Sequence, residues 1–241
     1  MTLIFALNTG KEIYLASDGL GFYRKADGTA KFMEVEKYIK VNDNVEILFS
    51  GVLDLAREYY NCTQQELWEE QSIDENWPPL IIAKTLEKFI APTYERLERI
   101  YSHSVRTPDI LKMYGTVSAF LRMDWPLEIF VCGMDKDVNG NLSNPQIHIL
   151  NNNRKYISFE FGREIALSGA PNVIKIAEPI FDDSRFLNLF DSPSEIKNEI
   201  DSCYEELIQI LKKECTENEM IGVGEPIHIA RISKEGYELL R

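Results

Sequence analysis

The chain has 241 residues, with 26 Lys+Arg against 39 Asp+Glu, a formal net charge of −13, and 44% hydrophobic residues. A chain of this make-up folds and buries a core without staples. Its acidity argues against a phosphate-backbone binder and against docking on an anionic membrane, so neither nucleic acid nor a membrane is an expected partner. Cys62, Cys132, Cys203 and Cys215 form no CxxC pair, and His103, His148 and His228 stand far apart, so neither a disulfide framework, a metal site nor a cofactor is expected. No basic segment followed by an apolar run opens the chain, and no run of about 18 apolar residues occurs, so a cytoplasmic location is expected.

The chain opens with strands. Leu3-Ile4-Phe5-Ala6-Leu7-Asn8, a turn at Thr9-Gly10-Lys11, and Glu12-Ile13-Tyr14-Leu15-Ala16-Ser17 predict a hairpin over 2–17. Asp18-Gly19 begins what reads as a polar loop. Lys37–Val41 alternates, Asn42-Asp43-Asn44 turns, and Val45–Ser50 predicts a further strand closed by Gly51. The period then changes to a helical one over 52–70 and, after Trp77-Pro78-Pro79, over 80–104, where Pro92 is a candidate kink. Residues 105–126 carry no readable pattern.

Strands return at Leu127–Cys132, Gln146–Leu150, Tyr156–Phe161 and Ile165–Gly169, with a helix expected near 172–181. Ser192-Pro193-Ser194-Glu195 is a capping box with proline at the first helical position, and Ile196, Ile200, Cys203, Leu207, Ile210 and Leu211 trace an apolar face behind it. A closing hairpin spans Pro226–Ile232 and Tyr237–Leu240. Strands and helices come in blocks rather than as alternating βαβ units. That order predicts an α+β fold, antiparallel sheet stacked on sheet with helices outside.

Thr2 directly follows Met1. Loss of Met1 would leave a threonine carrying a hydroxyl nucleophile and a free α-amine, whose pKa near 8 suits a general base. Asp18 lies 16 residues on, where a hairpin returns the chain to its start. Lys37 lies 19 residues further; its ammonium would lower the pKa of a nearby threonine hydroxyl, and Asp18 could hold that ammonium in place. Gly51 ends a strand and precedes a helix, where an N–H can meet a reacting carbonyl as an oxyanion donor. Each residue also has a plain reading: a turn at Asp18-Gly19, a solvated strand lysine at Lys37, a helix-entry glycine at Gly51, and a helix cap at Ser168.

Thr2…Asp18-Gly19, Lys37-x-Ile39 and Phe49-Ser50-Gly51 before a helix resemble the pattern of proteasome β-type subunits and of the bacterial ATP-dependent peptidase related to them. The phrases IYLASDG, KYIKVNDNVEILFSG, FVCGMDKD, IALSGAPNVIKIAE and HIARISKEGYELL are each similar to segments of that family, and the short bacterial, propeptide-free (Anbu-like) branch is the nearest in pattern. The resemblance implies an N-terminal nucleophile hydrolase with a four-layer αββα sandwich. It implies Thr2 as nucleophile, Lys37 tuning it, Asp18 orienting Lys37, Gly51 donating to the oxyanion and Ser168 supporting the amine. It also implies a peptide or amide substrate and a homo-oligomeric ring, and it allows an ATPase unfoldase as partner. It implies a single domain over 1–241, in which the Asp18–Lys37 interval and the helical region 52–126 are longer than in the family. The late D-x-x-S-G-G segment has no clean counterpart: Glu217, Glu219 and Gly222-Val223-Gly224 lie there without the serine. The alternative reading is a catalytically inactive subunit acting as scaffold or binding module.

Overall fold

The computed structural model describes residues 2–24, 30–51, 53–71, 76–90, 127–151, 156–159, 164–189, 192–214 and 223–241. The expectations for Pro92, residues 105–126, Cys215, Glu217, Glu219 and Gly222 lie outside them.

The fold is α+β, and each described strand pairing is antiparallel. The first sheet is built from β1 (Leu3–Asn8), β2 (Ile13–Asp18), β10 (Glu164–Gly169), β11 (Ile227–Ser233) and β12 (Gly236–Leu239), in the order β10-β1-β2-β11-β12. The second holds β5 (Tyr38–Lys40), β6 (Val45–Ser50), β7 (Glu128–Lys136), β8 (Leu142–Asn151) and β9 (Tyr156–Phe159), in sequence order. A separate ribbon, β3 (Leu20–Arg24) with β4 (Ala30–Glu34), forms where the sequence suggests only a polar loop. Its strands mix lysine, arginine and glycine with aromatics, so no alternation marks them.

The helices are α1 (Leu53–Gln71), α2 (79–90), α3 (Pro171–Ala177), α4 (Asp183–Phe186) and α5 (Pro193–Glu214). The helix expected near 172–181 is present as α3 but ends at Ala177, and the one-turn α4 beyond it was not expected. α3 starts with proline in its first turn, and the side chain of Asp182 caps α4 by accepting from the Ser184 N–H at 2.9 Å.

The strand pattern explains the packing. β1, β2 and β6 are buried along their whole length, so both faces of each strand serve a core. Ile4, Ala6, Ile13, Leu15, Ala230 and Ile232 of the first sheet share a cluster with Leu48, Phe130, Cys132 and Ile147 of the second. The alternate residues Leu3, Phe5, Tyr14, Ile227 and Ile229 pack instead with Val173, Phe186, Ile200, Tyr204 and Leu207 of α3, α4 and α5. Val45, Ile47, Phe49, Ile129 and Val131 likewise pack with Ala56, Tyr59, Ile82 and Leu86 of α1 and α2. Among the described residues, no helix is long and apolar enough to cross a membrane.

Candidate active site

Thr2 stands one residue ahead of β1, and β1 is an inner strand between β10 and β2. The start of the chain is therefore clamped on both sides, and Thr2 is only 5% exposed. The clamp extends to side chains. Asp18, the last residue of β2, accepts from the Leu3 N–H at 2.9 Å through Oδ1. The same oxygen accepts from Lys37 Nζ at 2.8 Å, and Oδ2 accepts from the N–H groups of Leu20 (3.2 Å) and Gly224 (3.3 Å).

Lys37 is not a solvated strand lysine. It is buried just before β5, its ammonium also donates to the Leu20 carbonyl at 2.7 Å, and its own carbonyl accepts from the Phe49 N–H at 3.0 Å. Among the described residues, these bonds use two of its three ammonium N–H groups. Burial pushes the Lys37 ammonium below its usual range, against the pull of Asp18. Burial also pushes the Asp18 carboxyl up, against Lys37 and the N–H groups of Leu3 and Gly224. A lysine so held gives up a proton more readily than one in water.

On the opposite side of Thr2, Ser168 sits in β10 across from Ile4 and is not a helix cap, since the N-cap of α3 is Ala170, with no side-chain cap bond. Its Oγ lies 2.6 Å from Ser50 Oγ at the end of β6, so one hydroxyl pair joins the two sheets. A Cβ on the next residue, Gly169, would stand 2.2 Å from the Thr2 carbonyl oxygen, a contact that only glycine permits. Gly51 follows Ser50 with φ +106°, a left-handed conformation that turns β6 toward α1. Tyr204 of α5 donates to the Leu3 carbonyl at 3.3 Å; burial holds its phenol well above the usual range, so it stays a donor.

The structure thus joins Asp18 and Lys37 directly and ties both to the residue after Thr2. It sets Ser168-Gly169 against the Thr2 strand and links Gly51 to them through Ser50. Sequence reasoning did not assign Ser50, Gly169, Tyr204 or the Gly224 N–H. Ser50 was marked by its place before Gly51 and Tyr204 by its place beside Cys203 on an apolar helix face. The Gly224 N–H is a main-chain group that no side-chain motif could reveal.

A second buried polar pair also bridges the two sheets. His228 of β11 pairs with Glu46 of β6 at 2.9 Å and stacks on Tyr38 of β5, with ring centroids 3.5 Å apart. Among the described residues, no three His, Cys, Asp or Glu side chains converge as metal ligands would. No family model matches the chain, and no curated protein is significantly similar to it.

Proposed function

We propose that this chain is an N-terminal threonine hydrolase, a peptidase or amidase of the proteasome β-type group. In this reading its two sheets and flanking helices are the four-layer αββα sandwich of N-terminal nucleophile hydrolases. The observation that carries it is the buried Asp18–Lys37 pair, whose carboxylate also holds the N–H of the residue after Thr2.

Removal of Met1 exposes the Thr2 amine. That amine takes the proton of its own Oγ1, which attacks the amide carbon of the substrate. The Lys37 ammonium, with an N–H uncommitted among the described residues, favours the developing alkoxide. The Gly51 N–H meets the oxyanion. The protonated amine then gives its proton to the leaving nitrogen, leaving an ester on Thr2. Water, with the amine again as base, cleaves the ester and restores the hydroxyl. Asp18 keeps Lys37 in place and takes no proton. The reading extends to a cytoplasmic homo-oligomeric ring fed with peptide or amide substrates, with or without an ATPase unfoldase.

The burial of Thr2 favours the second reading, an inactive scaffold subunit. One experiment separates the two. Intact-mass measurement of untagged protein is expected to show loss of Met1, and a peptide epoxyketone or β-lactone is expected to add to Thr2. Thr2→Ala should abolish both the adduct and turnover while keeping a cooperative unfolding transition. Full retention of Met1 with no adduct would establish the scaffold reading instead.

A further inference from the structure

The hydroxyl pair Ser50–Ser168 does more than join two sheets. Both side chains are buried, each finds its side-chain partner in the other among the described residues, and they face each other across the gap at 2.6 Å. Each is followed by a glycine, and the one after Ser168 lies against the Thr2 carbonyl. Along an extended strand alternate residues share a face, and Ser168 pairs with Ile4, so Ser168 and Thr2 belong to the same side of the first sheet.

A hydroxyl carries one proton and can both give and accept. We propose that Ser50 is a positioning residue that lets the Ser168 hydroxyl reverse its role as the Thr2 amine changes charge. The proposal rests on the hydrolase reading above. With the amine charged, Ser168 accepts from the ammonium and turns its own proton to Ser50. With the amine neutral, Ser50 donates to Ser168, and Ser168 donates to the amine lone pair. No proton leaves the pair; the two O–H bonds only reorient while the Thr2 proton moves from Oγ1 to nitrogen and on to the leaving group. Without Ser50, the arrangement that serves the ammonium would strand a buried O–H, so the neutral amine is favoured.

Among the described residues, Asp18, Lys37, Tyr204 and Glu128 are the other titratable groups to weigh here. Asp18 and Lys37 are bonded to each other and to the main chain, Tyr204 donates to the Leu3 carbonyl, and Glu128 of β7 lies opposite Ser50 in the strand register.

The test is the pH dependence of electrophile addition to Thr2 in the full chain after Met1 removal, with the epoxyketone as probe. Ser50→Ala should lower the midpoint of that profile by about one unit, since leaving one buried hydroxyl donor unpaired costs about that much. It should also lower kcat about tenfold with little change in KM. Ser50→Thr, which keeps the hydroxyl, should restore the midpoint. A Ser50→Ala protein that reacts more slowly at every pH with an unmoved midpoint would show a purely structural role and overturn the proposal. Should Ser50→Ala not fold, Ser50→Cys is read by the same criterion, with a smaller downward shift. Absence of any adduct on the unmutated chain overturns the hydrolase reading itself, whereas a reactive parent with an indifferent Ser50→Ala overturns only this inference.

Discussion

A methyl group at position 169 would press on the Thr2 carbonyl at 2.2 Å. The neighbouring backbone cannot yield, because β1 is paired on both sides. Gly169→Ala is therefore expected to cost about 1–3 kcal/mol of stability and to displace Thr2. Urea unfolding and the rate of electrophile addition should both register it; an unchanged midpoint would show that β10 can shift aside. At this scale the sequence was most informative where chemistry and strand ends coincide. Asp18 and Lys37 are 19 residues apart, yet each stands where a strand begins or stops. The Ser50–Ser168 contact spans 118 residues and exists only because two sheets face each other, which no local pattern encodes.

The strand elements were legible from their apolar runs, because strands buried on both faces need no polar alternation. The ribbon β3–β4 was not, since glycine, lysine and arginine interrupt its aromatics and leave no period to read. The pairing of β2 with β11 carries an element-scale ion pair. Arg231 donates to both Glu12 carboxylate oxygens at 2.7 Å, and Tyr14 donates to one of them at 2.7 Å. Burial alone would raise the Glu12 pKa, but Arg231 and Tyr14 outweigh it and bring the carboxyl below its ordinary 4.5. A folded-state value below the unfolded one means stability that is fully present above 4.5 and lost as pH falls through the folded value. Arg231→Met should therefore lose about 1 kcal/mol at neutral pH, the pair being partly open to solvent. The unfolding midpoints of parent and variant should converge as the medium is acidified. Parallel curves down to strong acid would show that the pair contributes nothing to the pH dependence.

At the scale of the molecule, the block order of strands and helices anticipated two stacked sheets with helices on their outer faces. It did not reveal that β1 lies between β2 and β10, because sheet order depends on which distant edges meet. The gap between the sheets is mostly apolar, but it is pinned by polar bridges at Ser50–Ser168 and Glu46–His228. His228→Ala would leave the Glu46 carboxylate buried without its imidazole and would remove the ring stacked on Tyr38. The expected loss is about 2–4 kcal/mol, read by chemical unfolding. Glu46→Gln should cost less, since the amide can still accept from the ring. Equal losses would mean that the Glu46 carboxylate carries the interaction and that the stack on Tyr38 adds nothing to it.

The place of β1 inside its sheet also sets an order of events in time. Its partner β10 is synthesised some 160 residues later, which at cellular translation rates is a delay of roughly 8–30 s. Throughout that interval Leu3–Asn8 have no second partner strand. In the closed sheet Thr2 is buried. For an N-terminal threonine enzyme, methionine trimming would then be a race that ends when the sheet closes, and slow trimming would fix a fraction of chains permanently in the inactive form.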